Sequence, residues 1–346
     1  MPEDIKKLTE KEVADWKSEY EIATALKNLG HEIQILGAPT DFTVLKDFLT
    51  GWNPHVVFNQ LEEFLGVNIY MPYLLGYFDL MHQPFTGCNP ASLILTHNKP
   101  LMKKILAFHR VPVPRFAVFP LFRTIKRPRW LPFPLFVKST IEHSSLGIAQ
   151  ASVVSNDEKL KERVEFIHRE LRTDAMAEEY IDGRELYVGV LGNHRLRTFP
   201  VWELRFGNLP AGTPQIATAK VKWDLDYQRA AGITTGVATD LPAGTEERIR
   251  KLSKRVCRIL GLNGYARLDF RLTPEGRIYL LEPNPNPDLG REEDFALSAR
   301  QDGMDYETLI QHVLNLGLGS APRKLDKSSN SSLTNGTPFT AGDVGQ

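Results

Sequence analysis

Apolar positions along this chain follow two periods, one near 3.6 residues and one of two, and their order predicts a mixed α/β protein. Thr9-Glu-Lys-Glu12 has the spacing of a capping box, so a helix should follow, with Val13, Trp16, Ile22, Ala23, Leu26 and Leu29 at helical intervals and Gly30 as its stop. An alternating run at Ile33 and Ile35 comes next, then a helix-like stretch with Phe42, Leu45, Phe48 and Leu49, and the apolar strand Val56-Val57-Phe58. An open α/β layer normally begins with a strand. No apolar strand precedes Val13, so this N-terminal layer is expected to lack its first strand.

From Thr96 the pattern is helical through Leu101, Ile105 and Phe108, then strand-like at Phe116 to Phe119, with Pro112, Pro114, Pro128, Pro132 and Pro134 punctuating the connections. Phe136-Val-Lys138, the polar loop Ser139 to Gly147, and Ile148 to Val154 read as a hairpin with a long mobile tip. Ser155-Asn-Asp-Glu158 is a second capping box ahead of a helix faced by Leu160, Val164, Ile167 and Leu171. Strands are expected at Ala175 to Ile181, through Leu186, Val188 and Val190, and back through Leu196 to Val201 after a turn at Gly192-Asn193. A helix over Thr245 to Leu260, stopped by Gly261, leads into a hairpin of Tyr265 to Leu272 and Arg277 to Glu282 around Pro274-Glu275-Gly276. Residues 320–346 are rich in Ser, Asn, Thr, Gly and Pro, the composition of a disordered tail.

Composition narrows the function. At 346 residues the chain suggests about two to three structural units. Lys plus Arg and Asp plus Glu both number 42, so no net positive field gathers nucleic acid, and the short basic stretch Lys126 to Trp130 reads as a solvated loop. The longest apolar runs, such as Leu131 to Val137, are far below the ~20 residues that span a bilayer, and the charged N-terminus does not suit a signal peptide, so a cytoplasmic location without membrane contact is expected. Cys88 and Cys257 are too few and too far apart for a disulfide framework or a Cys-rich zinc site, and read as buried, inert thiols.

The sharpest chemical pattern is Arg267-Leu-Asp269 followed by Glu282-Pro-Asn284-Pro. Strand side chains alternate, so Arg267 and Asp269 share a face, as do Glu282 and Asn284. Asp269 lies six residues before Glu275 and Glu282 seven after it, which brings the two carboxylates close across the ladder. Such a pair repels unless one side takes a proton or a cation sits between them, and two carboxylates plus an amide oxygen suit magnesium shared with phosphates. A solvated polar hairpin face would carry the same residues. Lys138 at the end of an apolar strand either reaches a phosphate or snorkels to solvent, and the Glu142 to Gly147 loop offers hydroxyls and N–H groups without phosphate-loop spacing. His143 in that loop is a general base or plain polar surface. Glu178-Glu-Tyr-Ile181 with Gly183-Arg-Glu185 is a linker that could read a base edge and ribose, or a polar crossing between subdomains. Lys220 and Lys222 fall on one face of a strand-like run.

Taken in order, a lysine before a helix, a strand ending Val-Lys138, the Ser144-Ser145-x-Gly147 loop, an acidic hinge with Gly183-x-Glu185, and Asp269 then Glu282-x-Asn284 resemble the ATP-grasp superfamily, in its D-alanine:D-alanine ligase branch. The resemblance covers about residues 20 to 319 and is strongest over 96–290. It implies an ATP-grasp fold with α+β sandwich elements behind an N-terminal open α/β preATP-grasp subdomain, divided as 1–95, 96–183 and 184–319, with the tail at 320–346. It implies that Lys99 and Lys138 contact ATP phosphates or flank the adenine, that Glu178, Glu179, Tyr180 and Ile181 form the adenine hinge, and that Glu185 accepts from ribose. Ser144, Ser145 and Gly147 would close over the triphosphate, Lys222 rather than Lys220 would reach it from the other side, and Leu281 would join the nucleotide contacts. Asp269, Glu282 and Asn284 would hold two Mg2+ ions, with Mn2+ as a substitute, and Arg267 would stabilise an oxyanion, acting with Lys222 and Ser145.

The implied reaction is ATP-dependent joining of a small carboxylic acid to an amine, an amino acid or peptide, through an acyl phosphate with release of ADP and phosphate; homodimers are common in this branch. Two features depart from D-alanine ligases proper. The Gly-rich, Ser- and Glu-containing segment with which they begin is absent, and Pro287-Asp288-Leu-Gly-Arg-Glu-Glu-Asp-Phe295 stands where they carry Pro-Gly and a serine pair. Asn59, Glu62, Glu63, Arg291, Glu292, Glu293 and Asp294 are candidates for a different acceptor pocket, suited to a cationic or amino-bearing substrate. The alternatives are an ATP-binding protein without free amino-acid turnover, and a ligase that modifies a protein terminus.

Overall fold

The computed structural model describes residues 16–142, 146–210 and 212–319. The capping box at Thr9 to Glu12, the loop residues His143, Ser144 and Ser145, and the tail from Ser320 lie outside the described residues. The N-terminal layer is helical: α1 (Lys17–Asn28), α2 (Phe42–Trp52) and α3 (Met71–Leu80). Ile22, Ala25 and Leu26 of α1 are buried in the same cluster as Leu309, Ile310 and Val313 near the C-terminus. The strand that the alternation at Ile33 and Ile35 suggests is not formed: the stretch has no ladder partner among the described residues, and Ile35 is exposed. The strand expected at Val56 to Phe58 is reduced to one parallel bridge, Val57 with Phe85. Alternation of apolar residues suits a strand, but ladder hydrogen bonds need a neighbour, and neither segment has more than that single bridge.

Two short helices carry the chain to the site. Asn89 caps α4 (Pro90–His97), and Asn98 ends α4 and caps α5 (Lys99–Phe108), accepting from the Leu101 N–H at 3.0 Å. The helix expected from Thr96 is therefore two helices with a break at Asn98, and α4 runs across the expected boundary at 95/96. Lys99 falls in the first turn of α5, with Lys103 one turn later on the same side.

Next come two antiparallel sheets. The first holds β1 (Phe116–Phe119), β2 (Leu135–Ser139), β3 (Val153–Val154) and β4 (Ala175–Glu179) in the order β1-β4-β2-β3. It packs on α6 (Asp157–Phe166), which continues as a π turn to Leu171. Asn156, not Ser155, caps α6, because its side chain accepts from the Lys159 N–H at 2.8 Å. The second sheet holds β5 (Arg184–Leu191), β6 (Arg197–Thr198), β7 (Trp202–Phe206), β8 (Ile233–Val237), β9 (Tyr265–Leu272) and β10 (Ile278–Pro285), in the order β10-β9-β5-β7-β8 with β6 on β5. Between its strands lie the short helices Ala219–Trp223 and Leu225–Ala231 and the long α9 (Thr245–Leu260); Asp294–Gln301 and Tyr306–Leu318 close the fold.

Lys220 and Lys222 are thus helical, not strand residues. Thr218 caps their helix, accepting from Val221 N–H at 3.2 Å, and helical spacing sends the two lysines to different sides: Lys220 is exposed and Lys222 half-buried.

The second sheet is sorted by parity. Leu186, Val188 and Val190 of β5 and Leu268, Phe270 and Leu272 of β9 bury one face against Ile249, Val256 and Leu260 of α9. The opposite face carries Glu185, Tyr187, Arg267, Asp269 and Arg271. Gly183 enters this sheet at φ +142°, where an added Cβ would lie 2.2 Å from the Leu272 carbonyl oxygen. Gly183→Ala is expected to lower the unfolding free energy by about 1–3 kcal/mol, read as a lower urea midpoint at unchanged slope.

Candidate active site between the two sheets

An open cleft lies between the sheets. Eleven of the sequence-predicted residues line it: Lys99, Lys138, Glu178, Glu179, Tyr180, Ile181, Glu185, Lys222, Asp269, Leu281 and Glu282. Glu142 and Leu146, on either side of Ser144 and Ser145, also line it; Gly147, Arg267 and Asn284 do not. The Gly147 carbonyl accepts from the Arg163 guanidinium.

The two carboxylates meet as expected, by a device that counting alone does not supply. From Leu272 opposite Ile278 to Phe270 opposite Leu280 the hairpin register is regular; it then shifts, leaving Leu281 unpaired and setting Glu282 directly opposite Asp269. Without this β-bulge Asp269 would face Leu281, and Glu282 would fall opposite Leu268, on the apolar face. Beyond the bulge Asn284 pairs with Arg267. Arg267 donates to Asp269 through Nε (2.9 Å) and Nη2 (3.1 Å), Asn284 Nδ2 donates to the same carboxylate at 2.8 Å, and the Arg267 guanidinium lies 4.7 Å from the Tyr187 ring centre. Burial pushes Asp269 up to about 6, and Glu282 adds to the push while Arg267 opposes it.

On the other wall the lysines differ: burial lowers the pKa of Lys99, whereas burial of Lys138 is outweighed by Glu178 and Glu282, which raise it. Lys138 bonds Glu178 Oε1 at 2.8 Å and stands 3.9 Å from Glu282. Lys103, which sequence reasoning missed, forms an ion pair with Glu178 Oε2 at 2.9 Å and donates to the Leu281 carbonyl at 3.0 Å. Its only sequence signal is the four-residue spacing from Lys99. Burial would raise the Glu178 pKa, but the two ammonium groups more than offset this and hold it below the usual range. Lys99 donates to the Glu142 carbonyl at 2.5 Å, and burial lowers its pKa to about 8. The Glu178 carboxylate therefore faces lysines, not a base edge. β4 ends at Glu179, which pairs with Arg115, and leaves Tyr180 and Ile181 at the cleft.

Glu185 is also engaged: Arg271 donates to it at 2.7 Å and the Tyr187 hydroxyl at 2.9 Å. Arg271 was missed for want of a motif, as were the apolar walls Phe136, Ile148 and Ile216. Of the acceptor candidates, Arg291 pairs with Glu307 and lies over the Tyr306 ring, and Asp294 accepts from the Trp202 indole at 2.9 Å. Burial raises Glu62 and pushes Glu293 up to about 7, with Asp288 adding to both shifts. Cys88 and Cys257 are buried as expected, each thiol pushed up to about 12 by burial.

Among the described residues no three His, Cys, Asp or Glu side chains are placed to hold a metal ion by themselves. Magnesium does not need one: it keeps several waters and takes one or two carboxylates beside substrate phosphates. Two opposed carboxylates with an amide beside them, one pushed up in pKa partly by the other, fit such an ion.

A cleft lined by lysines and opposed carboxylates between two antiparallel sheets defines a nucleotide-dependent ligase of ATP-grasp type. The chain belongs to the family described as D-ala D-ala ligase C-terminus, whose model matches residues 111–315; members use ATP and Mg2+ to form amide bonds between amino acid substrates. It is 30% identical over 243 residues to a D-alanine--D-alanine ligase of Bordetella pertussis, covering 70% of this chain and 72% of that one. To the D-alanine--D-alanine ligase of Aquifex aeolicus it is 27% identical over 295 residues, covering 85% and 92%. The fold is that of the D-alanine--D-alanine ligase from Bacillus anthracis solved in complex with ATP, at TM-score 0.71 and 19% identity over 90% of this chain and 94% of that one. Among the described residues no helix is long and apolar enough to cross a membrane.

Replacing Glu178 by Leu would leave Lys103 buried without its counter-charge and Lys138 with only Glu282 at 3.9 Å. Glu178→Leu is expected to cost about 3–5 kcal/mol of stability, measured by denaturant unfolding at neutral pH. Because the folded pKa of Glu178 is depressed, that contribution is present above the ordinary carboxylate range and is lost as pH falls through the folded value.

Proposed function

We propose that this chain activates the carboxylate of an amino acid or peptide with ATP and joins it to the amine of a second, releasing ADP and phosphate. The observation that carries this reading is the direct opposition of Asp269 and Glu282 in a cleft whose other wall presents Lys99 and Lys138. Tyr180 and Ile181, with Phe136, Ile216 and Leu281, would hold the base, and Glu185, oriented by Arg271 and Tyr187, would accept from the ribose. Glu178 and Glu179 would fix this hinge through their partners instead of touching the base. Lys99, Lys138 and Lys222 would bind the phosphates. Ser144, Ser145 and Gly147 are assigned to the loop that covers them, with Ser145 beside the transferring group; the placement of Glu142 and Leu146 on the cleft supports this.

Asp269, Glu282 and Asn284 would hold magnesium, which when bound offsets charge on the transferring phosphoryl group. The lysines neutralise the rest, and water exclusion under the loop protects the acyl phosphate from hydrolysis. When the amine attacks, negative charge develops on the carbonyl oxygen. Arg267, permanently charged and oriented by its two bonds to Asp269, would stabilise it. Asp288 adds to the upward shift of both Glu62 and Glu293, and this gathering of acids on the proposed acceptor side supports an amine-bearing second substrate.

Magnesium-ATP turnover by the full chain, read as ADP release with and without pools of amino acids and small carboxylic acids, is expected to rise with a pool and to match phosphate release. A protein that binds nucleotide tightly and responds to no pool would not be a free amino-acid ligase. Arg267→Ala is expected to lower kcat by roughly 10²–10³, with ATP affinity nearly unchanged. The charged form of Lys99 is the one that binds phosphate, and its pKa is lowered to about 8. Nucleotide affinity should therefore fall roughly fivefold from about pH 8 to about pH 9, and Lys99→Met should flatten that profile while weakening binding at neutral pH.

A further inference from the structure

Lys103 is fully buried on α5, with its side chain 0% exposed, and does not line the cleft. An ammonium there gives up its hydration, a cost that an apolar side chain of similar length would avoid, so its bonds show what it does in the fold. There are two, to different sheets: the Glu178 carboxylate on β4 at 2.9 Å and the Leu281 carbonyl on β10 at 3.0 Å. Leu281 is the residue left unpaired by the bulge, where the ladder supplies no partner.

We propose that Lys103 is a positioning residue for the metal-binding carboxylate. By donating to the Leu281 carbonyl it fixes the bulge that turns Glu282 onto the face of Asp269. Through Glu178 the same ammonium is tied to Lys138, which stands 3.9 Å from Glu282, so one buried group sets both the aim of the carboxylate and the place of its nearest lysine. An ion pair with Glu178 alone would not require contact with β10, and packing alone would not require a charge. The inference rests on the reading of Asp269 and Glu282 as magnesium donors.

The test is calorimetric titration of a non-hydrolysable ATP analogue against the full chain at a series of Mg2+ concentrations and in EDTA. Lys103→Met should raise the Mg2+ concentration needed for tight binding by about 10–100-fold, read as the ratio of affinities with and without Mg2+ so that any displacement of Lys138, which bears on both, divides out. Should Lys103→Met fail to fold because Glu178 is left buried and charged, the double variant Lys103→Met, Glu178→Gln removes that charge and still lacks the donor to Leu281. Its ratio of affinities with and without Mg2+ should fall by the same factor. A folded single or double variant whose Mg2+ dependence matches the parent would overturn the proposal. Glu282→Gln is measured alongside: if it leaves the Mg2+ dependence unchanged, the metal reading fails, whereas a shift with Glu282→Gln but none with the Lys103 variants defeats the role of Lys103 alone.

Discussion

One unpaired residue in a hairpin decides whether this cleft has chemistry. The β9–β10 ladder is antiparallel and regular until Leu281 drops out of register. Side chains alternate strictly along a strand, so a slip of one residue moves everything beyond it to the other face. Glu282 and Asn284 thereby leave the face packed on α9 and join Asp269 and Arg267 on the face that looks toward the first sheet. The charged side of the second sheet, from Glu185 and Tyr187 on β5 through Arg271, Asp269 and Arg267 on β9, would exist without the bulge. Only the bulge gives Asp269 a second carboxylate as its direct neighbour.

That arrangement is costly in the absence of ligand, and the surrounding bonds show how the fold bears it. Arg267 and Asn284 both donate to Asp269, and burial still pushes that carboxylate up. Facing it, Lys103 and Lys138 share Glu178, and Lys99 is buried enough to lose affinity for its proton. Both walls thus hold charge that is incompletely compensated within the protein, and their signs complement a polyphosphate and a cation bound together. Elsewhere in this chain burial raises both Glu62 and Glu293, and Asp288 adds to each shift.

Local rules located much of this. The helix Thr245–Leu260 and its Gly261 stop were legible to the residue, because an apolar stripe and a left-handed glycine are both local signals. The hairpin around Pro274-Glu275-Gly276 was legible for the same reason. Local rules failed where tertiary partners decide. Ile33 and Ile35 alternate like a strand, yet no strand forms without a neighbour to pair with. Lys220 and Lys222 read as alternating, yet the Thr218 side chain starts a short helix there. Ser155 and Asn156 are both competent caps, and the backbone at the end of β3 selects the second.

By itself the sequence determined which chemistry is available: two carboxylates and an amide flanking one turn, an arginine two residues from the first, lysines at a helix start and a strand end, and an acidic linker between sheets. These are consequences of residue identity and short-range periodicity. What only the tertiary structure decided is where that chemistry points. The register shift at Leu281 lies within one hairpin, but the capture of Glu178 by two lysines and the use of Lys103 to tie β4 to β10 join groups about 40 to 178 residues apart. No local pattern encodes them, because each exists only when packing of the two sheets removes water from those groups and leaves them one another as partners.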